Sequence, residues 1–218
     1  NESPQSAALP LTVDTAAPAA PTGVTVTDDV APVTGAIAAN GASNDNKPTF
    51  AGAAGSAEAG STITVMDGAT VLGTAVVAAD GSWSVTPTTA LADGAHSITT
   101  RATDAAGNVS PVSPALALTV DTAAPAAPAA PTSTAPSTND NTPGIHIGVG
   151  LTDTPSLYVD GVKVPATYDP VTGTLTPTTP LADGAHSITT TLTDAAGNES
   201  PQSAALPLTV DTAAPAAP

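Results

Sequence analysis

The sequence predicts an all-β protein built of antiparallel sandwiches joined end to end, and three observations predict it. The chain repeats itself at domain length, its glycine and proline break helices throughout, and what lies between is short runs of alternating apolar and polar residues. The repeat comes first. Residues 1–21, NESPQSAALPLTVDTAAPAAP, recur letter for letter at 198–218, and LTVDTAAPAAP stands a third time at 118–128. Taking the Asp of VDTAAP as the marker gives Asp14, Asp121 and Asp211, so the two complete units are 107 and 90 residues long. Both fit the usual size of a single-core domain. The expected division is therefore 1–14 as the tail of a preceding repeat, 15–121 as a first domain, 122–211 as a shortened second, and 212–218 as the linker to the next. Because the chain starts and stops inside a repeat, both ends are expected to be cuts in a longer array.

Composition agrees. Eighteen glycines and 23 prolines in 218 residues disfavour helix, while Thr, Val, Ala and Ser favour strands. Trp83, Phe50, Tyr158 and Tyr168 are the whole aromatic set, so the cores must be built from Val, Ile, Leu and Ala. In the first unit, alternating segments fall at 23–27, 48–53, 61–66, 70–77, 82–86, 95–103 and 115–120. Turn signals separate them, among them MDG at 66–68, ADG at 79–81 and 92–94, and DAAGN at 104–108. Seven short strands in about 100 residues predict an Ig-like sandwich. There is no cysteine, so the disulfide of antibody domains is excluded along with structural zinc and thiol catalysis. The second unit loses 12 residues between the linker Asp and NDN, 2 more before the first DG, and 3 before LADG. It is expected to have a reduced or missing first strand, and Trp83 has no clear counterpart in it.

VDTAAP, TDDVAPVTG (27–35), NDNKP (44–48), DGSW (80–83), LADGAHSI and TDAAGN together resemble the bacterial Ig-like repeats of giant Gram-negative adhesins, the biofilm-associated, type I secreted, RTX-type proteins. The resemblance covers both units. It implies an extracellular, calcium-stabilised extender module at the bacterial cell surface, projecting a distal ligand-binding region in cell adhesion or biofilm formation. The second unit departs from the pattern in lacking the TDD segment, which puts a calcium site at its own C-terminal end in doubt.

Charge sharpens the expectation. Nineteen acids stand against Lys47, Arg101 and Lys163, for a formal net charge of −16, which disfavours nucleic acid and anionic membrane surfaces as partners and favours a cation. Sixteen of the acids are Asp, the residue of turns and oxygen-ligand loops. Five of them, Asp67, Asp80, Asp93, Asp160 and Asp183, precede Gly and read as turn residues. Sandwich topology sorts most of the others by pole. Asp28, Asp29, Asp45 and Asp121 gather at the exit of the first domain, where the second contributes Asp194 and Asn198, with Asp153 nearby. Two bare carboxylates 4 Å apart repel by about 4 kcal/mol at an effective dielectric near 20, so such a cluster calls for a cation. Ca2+ suits it best, taking six to eight oxygens in flexible geometry. Equivalent half-sites are expected from Asp14 with Asp104 and Asn108 at the front, and from Asp140 with Asp211 at the back.

Catalysis is not expected. No G-x-S-x-G elbow, phosphate loop, HExxH or EF-hand pattern occurs. His96 and His186 occupy the same place in both repeats and read as framework residues, while His146 stands alone on a predicted strand. No apolar run is long enough to insert in a membrane, about 18 residues being needed. The expected partners are neighbouring repeats of the same chain, and a monomer is expected. The alternative function is a module that itself binds carbohydrate or protein, which would require an exposed Trp83 or a Tyr158–Tyr168 patch.

Overall fold

The computed structural model describes every residue apart from 1, 2, 4, 6, 8 and 216–218, which leaves parts of the expected 1–14 tail and 212–218 linker outside the described residues. Every element among those described is a strand. In chain order these are β1 (Thr25–Asp28), β2 (Gly35–Ala36), β3 (Ala42–Ser43), β4 (Thr49–Gly52), β5 (Thr62–Asp67), β6 (Thr70–Val76), β7 (Trp83–Val85), β8 (Gly94–Thr103) and β9 (Leu116–Val120). There follow β10 (Ser137–Thr138), β11 (Ile145–His146), β12 (Thr154–Val159), β13 (Val162–Val164), β14 (Ala166–Asp169), β15 (Thr174–Pro177), β16 (Gly184–Thr193) and β17 (Leu206–Val210). All seven segments anticipated in the first repeat are present. The two-residue strands β2 and β3 were not anticipated, because neither is long enough to show an alternation. Pairing sorts the strands into four sheets, ordered β2–β1–β4–β7, β3–β9–β8–β5–β6, β11–β15–β14 and β10–β17–β16–β12–β13.

The chain packs as two units, the first from residues 1–28, 35–41 and 46–119, the second from 29–34, 42–45 and 120–218. In the first, the alternation of β8 turns Ile98 and Ala102 inward, β5 brings Ile63 and Val65 and, past a register shift, Met66, and β1 and β4 bring Val26 and Phe50; all are buried. In the second, Ile145, Leu157, Val159, Leu175, Ile188 and Leu208 form the equivalent cluster.

Beyond β8 and β16 the chain is rich in proline, which cannot donate to a ladder. Buried serines take over. Ser110 and Ser113 accept the backbone N–H of Ala102 and Thr100 at 2.9 and 3.0 Å, and donate to the carbonyls of Pro111 and Pro114. Ser200 and Ser203 repeat this on Leu192 and Thr190. The repeated SPxS spacing is thus a way of tying an extended, proline-bearing segment to its neighbour.

The second unit lacks a counterpart of β1, as its shorter sequence predicts. What remains of that pairing is a single bridge between Thr132 and His146. The counterpart of β6 is also divided: at Pro165 the chain leaves β12, and β14 pairs with β15 in the other sheet. The missing tryptophan has a physical answer as well. Gly52 pairs with Trp83 across β4 and β7, and a methyl group on Gly52 would run into the Trp83 indole and the Ser56 hydroxyl. At the matching pair of the second unit Ile147 donates its N–H to Gly173, whose own Cβ would lie 2.6 Å from the Gly148 carbonyl. At this place the small residue lies on the other strand of the pair, and the half-buried Ile147 packs against the core cluster.

Candidate functional site

The repeated TDAAGN motif builds the same clamp in each unit. In the first, Gly107 at φ +91° lets the chain turn back, so that Asp104 Oδ1 accepts the N–H groups of Ala106 (2.9 Å) and Asn108 (2.8 Å), while Oδ2 accepts Asn108 Nδ2 (2.8 Å). The same amide nitrogen reaches the backbone carbonyl of Asp14 at 3.1 Å. The Asn108 side chain above all, with the turn's backbone N–H groups, holds the Asp104 carboxyl below the usual carboxylate range against the opposing effect of burial. A cavity of about 390 Å³ adjoins the clamp, walled by Asp14, Asp104, Glu58 and Ser61 among others. Ser61 is buried and its Oγ has no partner. Glu58 and Ser61 were not anticipated, since they lie between strands in a stretch that carries no repeat motif.

In the second unit Asp194 Oδ1 accepts from Ala196 and Asn198, both at 2.9 Å, and Oδ2 accepts Asn198 Nδ2 at 2.9 Å. That nitrogen donates to the carbonyl of Asp121 at 2.8 Å. Asn198 is buried, and Asp121 Oδ1 caps the N–H of Ala123. Each clamp therefore grips the backbone of a VDTAAP segment through an asparagine amide, not through the aspartate side chain of that segment. Asn108 thus joins Asp104 to Asp14, and Asn198 joins Asp194 to Asp121, by an amide contact and not by the carboxylate cluster expected of them. An amide that donates to a carboxylate and a carbonyl at once avoids the repulsion that two carboxylates would meet.

The two short insertions 29–34 and 42–45 pack onto the same turn. Asn44 donates its N–H to the Ala196 carbonyl at 2.9 Å, and its side-chain nitrogen lies 3.4 Å from the Gly197 carbonyl and 3.3 Å from that of Ala31. Asn44 Oδ1 is buried and accepts nothing. Asp45 beside it is 3% exposed, and its Oδ2 lies 3.4 Å from the N–H of Asp29. In the first unit Asp28 ends β1 and is 5% exposed. Asp153 accepts the Thr152 hydroxyl, and Asp140 and Asp211 each cap their own loop, on Thr142 and Ala213 respectively. Among the described residues no three His, Cys, Asp or Glu side chains gather closely enough to hold a metal ion by themselves. An ion at these loops would have to draw on Asn and backbone oxygens too, which are ordinary ligands for calcium.

The Asp-Gly turns do more than turn. Asp67 and Asp160 accept both a histidine ring and the following backbone N–H, and Asp183 accepts the N–H and hydroxyl of Thr212. The aromatic residues are committed to structure. Trp83 is buried, the Tyr158 hydroxyl donates to Glu199, and that of Tyr168 donates to Gly148 from the other sheet of the second unit.

With this architecture in view, the family profile described as the bacterial Ig-like domain matches residues 20–122 and 130–212, most of the chain. The chain belongs to the bacterial Ig-like domain family. The fold of these bacterial Ig-like domains is similar to that of the fibronectin(III)-like modules of Clostridium thermocellum CbhA, at 16% identity over 85% of this chain and 93% of that one, with a TM-score of 0.51. Looser likenesses are to a 1.5-MDa bacterial ice-binding adhesin (24% identity, 77% of this chain, 59% of that one, TM-score 0.38) and to a tetra-tandem repeat in the extending region of a large adhesion protein (21%, 90%, 50%, 0.29). No curated protein matches the chain.

Proposed function

We propose that these bacterial Ig-like domains are a spacer segment of an extracellular, cell-surface adhesin, with calcium bound at the loops that grip the VDTAAP segments. The repetition supports a mechanical role, since whatever is copied in both units is framework: clamp, serine ties, and histidine turns. The observation that carries the calcium reading is the orphaned Asn44 Oδ1, a buried acceptor beside the buried Asp45 carboxylate. A buried oxygen without a donor costs about 1–3 kcal/mol, and a cation would satisfy it. Asn44, Asp45, Asp29 and the carbonyls of the 194–198 turn would supply its oxygens. The ion would supply charge neutralisation and cross-linking of loops, and no catalysis is assigned.

Small-angle scattering of the chain in calcium and after chelation tests the reading. The maximum dimension is expected to change as the VDTAAP segments loosen, with each unit still folded. An identical profile in both conditions would overturn it. Committed aromatic side chains disfavour the carbohydrate-binding alternative, because sugar rings stack on exposed aromatic faces.

A further inference from the structure

The second unit contains a histidine whose two ring nitrogens both face acceptors. His186 Nδ1 lies 2.8 Å from Asp160 Oδ2, at the turn after β12, and Nε2 lies 2.9 Å from the Ala182 carbonyl in the LADG turn. The side chain is 12% exposed, so water can do little to replace either partner. A neutral imidazole carries one N–H and would leave one of these contacts acceptor against acceptor, whereas the imidazolium satisfies both. The LADG turn in turn holds the chain that leaves the unit: Asp183 accepts the N–H of Thr212 at 3.0 Å and its hydroxyl at 2.8 Å.

We infer that His186 and Asp160 form a proton-dependent latch on the exit segment. The imidazolium pins the LADG turn through Ala182, the pinned turn holds Thr212 through Asp183, and loss of the ring proton frees the turn and loosens the segment after β17. The groups around the ring are few. Asp160 is the charged group that acts on it, Asp183 on its own turn is occupied by Thr212, and β17 places apolar Leu208 opposite. The hydrogen bond to Ala182 first, then that to Asp160, raise the ring above the usual histidine range against the opposing effect of burial. With the folded value raised, the hold is complete below the unfolded value of about 6.5 and is lost as pH rises through the folded one. The first unit repeats the ring geometry, with His96 at 2.7 Å from Asp67 and 2.8 Å from the Ala92 carbonyl. The feature therefore belongs to the repeat.

The test is an NMR titration of the full chain from pH 5 to 9, following the imidazole signals and the Thr212 amide together. His186 is expected to titrate above 6.5, and the Thr212 amide shift and order parameter to follow with the same midpoint. Asp160→Asn should lower both midpoints together, and His186→Gln should leave the Thr212 amide flat across the range. If Asp160→Asn does not fold, the coincidence of midpoints in the native chain and its loss in His186→Gln decide the matter. A His186 midpoint at or below 6.5, or a Thr212 amide indifferent to it, would overturn the latch.

Discussion

Phe50→Ala is expected to destabilise the first unit by about 3–5 kcal/mol, the usual cost of emptying a phenylalanine site in a closed core. Phe50 has no exposed surface and pairs from β4 with Val26 of β1 and Val85 of β7. The core around it is small and aliphatic, so nothing of similar size can move in to fill the space. The chain carries its own probes. Its one tryptophan, Trp83, reports on the first unit, and both tyrosines belong to the second. The tryptophan transition in a denaturant or thermal series should therefore move to much milder conditions. A loss below about 1 kcal/mol would mean that the Phe50 site collapses around the cavity and that the core is looser than its burial indicates.

Asp194→Ala is expected to cost about 2–4 kcal/mol, through a different mechanism. It removes three hydrogen bonds to one carboxylate and leaves the N–H of buried Ala196 and Asn198 without acceptors, at about 1–3 kcal/mol for an unsatisfied buried donor. It also frees the Asn198 amide that grips Asp121, so the effect should spread to the VDTAAP segment. Hydrogen exchange at Asn198 and order parameters across 121–125 read the two consequences separately. Asp194→Asn keeps one acceptor oxygen and should recover part of the stability. Full retention of order at 121–125 in the alanine variant would show that Asn198 does not hold this segment.

Much of this was legible in the sequence because repetition labels structure. A motif that returns at an offset of 90, as LADGAHSITT and TDAAGN do, must do the same thing twice, so the repeated turns follow from it, and the expectation of a reduced or missing first strand follows from the 12-residue deficit of the second unit. The less legible features depend on contacts between residues far apart in the chain. Nothing in the pair Asp160 and His186 says that they meet, since they stand 26 positions apart and the chain between them runs through β13 of one sheet and β14 and β15 of the other. The pairing of Ile147 with Gly173 at the place of Gly52 and Trp83 was hidden for the same reason, since it shows only in the strand register. For the acids, counting carboxylates suggested a carboxylate cluster, whereas the contacts that join these loops run through asparagine amides. The asparagines Asn44, Asn108 and Asn198 join these loops, and only Asn108 and Asn198 were singled out beforehand as part of the site.

The most direct test of the proposed spacer is calorimetric titration of calcium into the chain at physiological salt, with Asp45→Asn and Asn44→Ala alongside. Saturable binding is expected at about 10⁻⁴ to 10⁻³ M, the range of extracellular calcium modules, with clear weakening in both variants. Absence of saturable heat up to about 10 mM calcium, with unfolding transitions unmoved by the ion, would contradict it.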